Sequence, residues 1–166
     1  CLMPNHVHLI AVPMEPHSLA RMLADTHMRY AKHFNWKYHL TGHLWEARFF
    51  SCVMDEPHCL AAARYVERNP VRARLVQKAW EYPWSSAPAH ANGMKDGIVS
   101  SRWPTEDMLF EWKNLLIEAE EKASLQSIRK STSTGRPLGS EAFLDKVEHL
   151  LGRLVRPKRG GRPRGR

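Results

Sequence analysis

The chain has 166 residues, with 25 Lys and Arg against 17 Asp and Glu, a formal net charge of +8. That length allows one modest core plus an appendage, and a basic balance suits an acidic partner such as nucleic acid. No run approaches the ~20 apolar residues of a membrane span, no secretory leader is visible, and Cys1, Cys52 and Cys59 lack Cys-x-x-Cys spacing, so an integral membrane protein and a disulfide framework are excluded in favour of a cytoplasmic protein with free thiols.

In chain order, the first element is Leu2-Met3-Pro4-Asn5-His6-Val7-His8-Leu9-Ile10-Ala11-Val12. Its Val, Leu and Ile residues, bounded by proline, predict a strand after Pro4. On a strand, side chains at i and i+2 share a face, with Cα atoms roughly 6.5 Å apart. His6 and His8 could thus hold one divalent cation, while Val7 faces a core. With ten histidines in the chain, a pair of hydrogen-bonded sheet histidines is the competing reading. A zinc site combining His6 and His8 with the cysteines is a third.

Residues 18–37 read as a helix, with Leu19, Met22, Leu23, Tyr30, Ala31 and Phe34 near helical spacing. Residues 44–54 read as a second strand, with Trp45, Ala47, Phe49, Ser51 and Val53 on one face. Arg48 on that strand is a candidate phosphate contact, or simply a surface arginine. Asp55 is then a plausible N-cap, with Glu56 and Pro57 in the first turn of an alanine-rich helix. Pro70 cannot continue that helix and biases Asn69 away from helical geometry. Tyr65 and Asn69 are four apart, so phenol and amide can share one face near the helix end. A core tyrosine with its hydroxyl at the rim is the alternative.

Four blocks now stand in order: Leu2-Met3-Pro4-Asn5-His6-Val7-His8-Leu9, Gly42-His43-Leu44-Trp45-Glu46-Ala47-Arg48-Phe49, Arg64-Tyr65-Val66-Glu67-Arg68-Asn69-Pro70-Val71-Arg72-Ala73, and Tyr82-Pro83-Trp84-Ser85-Ser86. This succession, over about residues 1–90, resembles the REP-associated tyrosine transposases, single-tyrosine relatives of insertion-sequence transposases with a His-hydrophobic-His motif. The resemblance implies an α+β fold, a ferredoxin-like antiparallel sheet of the HUH type. It also implies that the chain opens directly in the motif strand, with the family's first strand and helix missing. His6, His8 and Asn69 would bind Mg²⁺ or Mn²⁺. Tyr65 would be the nucleophile, forming a 5′-phosphotyrosine with DNA that is single-stranded or a hairpin repeat. A homodimer is left open. A remnant that binds DNA without cutting it is the alternative.

The C-terminal half reads as an extension. Residues 91–104 form a linker of loop composition after the 1–90 catalytic region. Residues 105–155 form a helical region: a helix over 105–125, a Ser-rich linker over 127–137, and a helix capped by Ser140 and Gly152. These helices suit either a DNA-binding module or packing on the catalytic region. Between residues 153 and 166 stand seven Lys or Arg and no acid. The segment 156–166 is predicted to be a disordered basic tail in which Arg156, Lys158, Arg159, Arg162, Arg164 and Arg166 meet DNA phosphates. Gly161-Arg162-Pro163 resembles the core of an AT-hook.

Overall fold

The computed structural model describes residues 1–100 and 106–156, with residues 106–110 described by their backbone only. Two compact units emerge, one of residues 10–50 and one of residues 1–9 together with 51 onward.

The first unit is built on α1 (Ser18–Tyr38), which confirms the helix read from the sequence. It ends where His39 takes a left-handed conformation and its N–H returns to the last turn. The expected strand over residues 44–54 does not form. Trp45 donates its indole N–H to the His27 carbonyl at 3.1 Å and stacks on the His27 ring at 4.1 Å. Asn35 Nδ2 donates to the Gly42 carbonyl at 3.1 Å. Trp45 is therefore held on its own helix, and of residues 44–54 only Met54 makes a β-bridge, a single rung with Leu138, so the β propensity goes largely unused.

In the second unit the expected ferredoxin-like antiparallel sheet is absent as well. Among the described residues the only bridges are isolated: Leu2 with Val7, antiparallel, and Met54 with Leu138, parallel. The chain doubles back at Pro4 and Asn5, pairing Met3 N–H with the His6 carbonyl and His8 N–H with the Cys1 carbonyl. A single hairpin rung, without further strands to extend it, makes no sheet. The architecture is helical.

Helix α2 (Glu56–Glu67) starts at Asp55, whose carboxylate accepts from His58 N–H, as expected of this cap. It stops at Arg68, and α3 (Asn69–Arg72) follows at once. Asn69 is thus helical, contrary to expectation. Proline is tolerated in a first turn, where its missing N–H would have had no partner. A 3₁₀ turn, Ala79–Glu81, leads to α4 (Ala87–Asn92), whose last two residues fall in the expected linker over 91–104. Next come α5 (Glu106–Ile117), α6 (Lys122–Thr134) and α7 (Glu141–Leu151). The expected helix over 105–125 is in fact broken after Ile117, and the expected Ser-rich linker is the body of α6. The α7 caps hold as read: Ser140 accepts from Phe143 N–H, and Gly152 is left-handed.

The core lies where α2, α4, α5 and the 3₁₀ turn meet. Ala63, Ala79, Ala87, Trp112 and Leu116 are buried together. The small alanines of α2 allow close approach, and Trp112 supplies the bulk. Glu67 is buried in this region. Its carboxylate accepts from the Trp112 indole at 2.7 Å and from Ser86 Oγ at 2.5 Å, and it is hydrogen-bonded to His90 Nδ1 at 2.5 Å. A buried carboxylate needs such partners, because desolvation alone would penalise it.

Candidate active site

The motif hairpin is pinned from the fourth sequence block. Leu2 N–H donates to the Trp84 carbonyl at 2.8 Å, and Tyr82 Oη donates to the Leu2 carbonyl at 2.8 Å. This anchors His6 and His8 against the end of α2. Their rings meet edge to face, with centroids 4.9 Å apart. The short extended stretch suffices to bring the imidazoles together without a sheet.

Tyr65 and Asn69 face the same two histidines. The Tyr65 ring lies edge to face with His8 at 5.6 Å. Asn69 Nδ2 stands 2.9 Å from His6 Nε2, and His6 Nδ1 stands 2.7 Å from Asn5 Oδ1. With Asn69 as donor, the Nε2 lone pair points into the cluster and the Nδ1 proton goes to Asn5. Four residues singled out from the sequence thus converge at one place. Asn69 is buried. His8 has its pKa lowered to about 4, chiefly by burial and further by the neighbouring His6. It is therefore neutral near pH 7, the state a metal ligand requires.

One member of the cluster carried no assigned role in the sequence reading. Arg72 lays its guanidinium over the Tyr65 ring, 4.0 Å from the centroid, and donates from Nη2 to the Tyr65 carbonyl at 2.6 Å. Its spacing of seven from Tyr65, about two helical turns, was the available signal.

The remaining sequence candidates lie elsewhere. Arg48 belongs to the unit of residues 10–50. The Arg156 guanidinium is engaged by Glu141, Asp145 and Glu148 at 2.9, 2.6 and 2.5 Å. Lys158, Arg159, Arg162, Arg164 and Arg166 lie outside the described residues. Among the described residues no group of three His, Cys, Asp or Glu is placed to hold a metal. The zinc reading with the cysteines therefore gains no support, and the donor set on offer is His6, His8 and the Asn69 amide. Two imidazoles would suit a divalent ion such as Mn²⁺ better than Mg²⁺, which favours oxygen donors, and the Asn69 oxygen would join them only after the amide turned, because its Nδ2 now faces His6. No helix among the described residues is long and apolar enough to cross a membrane.

Residues 1–69 match the family described as "Transposase IS200 like". Over that segment the chain is similar to the IS200-like transposases. No curated protein and no solved structure matches the chain. The matched segment contains His6, His8 and Tyr65 and ends on Asn69 itself.

Proposed function

We propose that the chain is a transposase of the single-strand nicking and joining kind, with Tyr65 as nucleophile and hairpin-forming DNA as substrate. The observation that carries this reading is the meeting of Tyr65 and Asn69, from one helix end, with His6 and His8 of the hairpin. The Tyr65 oxygen attacks phosphorus, the bond to the 3′ oxygen breaks, and a 5′-phosphotyrosine and a free 3′-OH result. Because the new ester keeps the energy of the phosphodiester, a 3′-OH can later displace Tyr65 and rejoin the strand without ATP. His6, His8 and Asn69 would hold Mn²⁺ or Mg²⁺, which supplies charge neutralisation at the phosphate oxygens. Neutral His8 offers a lone pair to that ion, and His6 Nε2 would do so once the Asn69 amide turned from its hydrogen bond.

The test is incubation of the full chain with a labelled single-stranded hairpin oligonucleotide and Mn²⁺, followed by denaturing electrophoresis. A covalent adduct that disappears in Tyr65→Phe, with binding retained, is the expected result. Binding without an adduct in the unaltered chain would instead support a protein that holds DNA and does not cut it. An adduct persisting in Tyr65→Phe would remove Tyr65 from the chemistry.

A further inference from the structure

We infer that Glu120, in the turn between α5 and α6, is a positioning residue for Tyr65, acting through Arg72. The inference deepens the nucleophile assignment above and rests on it. In-line attack on phosphorus demands a narrowly held phenol, and misplacement by ~1 Å can cost on the order of 10²-fold in rate. The edge-to-face contact with His8 bounds the Tyr65 ring on one side. Arg72 closes the other side by covering the ring face and binding the carbonyl of the same residue.

An arginine is long and flexible, so Arg72 needs an anchor of its own. Glu120 provides it. Arg72 Nη1 donates to both Glu120 oxygens, at 3.0 and 2.8 Å. The same carboxylate accepts from Arg68 Nε at 3.1 Å, and its side chain is 9% exposed. At that burial water competes little for these charge-assisted bonds, unlike a surface ion pair. The turn carrying Glu120 is itself held on α2. Arg68 Nη1 donates to the carbonyls of Leu116 and Glu118, and Arg64 Nη2 to those of Glu118 and Ala119. These are carbonyls at the end of α5, where a helix favours cations. Glu120 lies beyond the family-matched residues, so the C-terminal helices complete the site instead of forming a separable module.

The experiment labels the full chain with 3-fluorotyrosine, giving four fluorine signals for its four tyrosines. Tyr65→Phe identifies the Tyr65 signal. In Glu120→Ala that signal should move and broaden while those of Tyr30, Tyr38 and Tyr82 stay in place. In the adduct assay with Mn²⁺ and a hairpin oligonucleotide, the maximal rate should fall between about 10- and 100-fold with little change in half-saturating oligonucleotide. Arg72→Lys, which keeps the charge but loses the planar group that binds Glu120 through Nη1 and the Tyr65 carbonyl through Nη2, should behave as Glu120→Ala does. Glu120→Gln, which keeps an acceptor, should recover most of the signal position and rate. An unmoved Tyr65 signal in a folded Glu120→Ala protein would overturn the inference. Were Glu120→Ala unable to fold, an unmoved Tyr65 signal in Arg72→Lys would do the same. A wild-type chain that forms no adduct would sink the nucleophile assignment instead, and the fluorine signal would still decide whether Glu120 holds the ring.

Discussion

The two compact units handle their apolar side chains in opposite ways. In the unit of residues 10–50, Leu23 is the one buried residue among those described, while Trp36 and Phe50 are 76% and 67% exposed. In the other unit Trp112 is fully buried and gathers alanines from three elements around it. Helix α1 is therefore held by its own backbone and by local ring contacts, whereas α2 is held by tertiary packing. The tyrosine cluster sits on the packed unit, where a side chain can be fixed to within a fraction of an ångström.

Substitutions can break this contrast directly. Trp112→Ala should cost about 3–5 kcal/mol, since a large ring is lost from a filled core, and it also strips Glu67 of a donor. Trp36→Ala, on an exposed position, should change stability by no more than about 0.5 kcal/mol. Urea titration of both variants by circular dichroism checks the pair, and similar losses would mean that the two units are not differently held. Of intermediate size is the metal response. His6→Ala and His8→Ala should each remove Mn²⁺-dependent cleavage, and Asn69→Ala should weaken it, because an amide is the poorer ligand. An unchanged Mn²⁺ titration in the double histidine variant counts against the site.

A smaller effect concerns the start of α2. Asp55 has its carboxyl pKa lowered from 3.8 to about 2, first by the Ser140 N–H and also by His58. A depressed carboxylate adds stability above its unfolded value, and that stability is lost as pH falls through the folded value. The advantage of the native chain over Asp55→Ala, about 1 kcal/mol for the cap near neutrality, should shrink between pH 4 and pH 2. Thermal melts at several pH values would show it, and a constant difference would mean the carboxylate is not the source. The smallest effect belongs to Arg156, whose charge already meets three carboxylates. Arg156→Ala should leave the salt dependence of DNA binding nearly unaltered. Removing residues 157–166, with five cations, should flatten it by up to about 0.7 per lost phosphate contact on single strands, with the cut bond unchanged. Equal slopes with and without that segment would show that it does not touch DNA.

Local chemistry made α1, α2 and α7 legible: Asp55 and Ser140 are caps whose partners lie three residues away. The strands were misread because β propensity is realised only beside a partner strand, and among the described residues pairing stops at isolated rungs, Leu2 with Val7 and Met54 with Leu138. The break between α5 and α6 was invisible for a related reason. Residues 118–121 are ordinary helix formers, and what stabilises the turn is Arg64 and Arg68, about fifty positions earlier in the chain. His6, His8, Tyr65 and Asn69 could be read because each pair is close in sequence. Glu120 could not, since nothing local marks a glutamate that will meet Arg72 across 48 residues.

Glu67 sets a minimum on how short a working chain can be. Two positions after the tyrosine, it turns its carboxylate inward to Ser86, His90 and Trp112. A piece ending at Asn69 would keep every motif residue and lose all three partners, leaving α2 with an alanine face and an inward acid that nothing receives. The smallest autonomous piece carrying Tyr65 therefore extends past Trp112. Transplanting the motif segment alone onto another protein would carry the chemistry's names without the support that holds them.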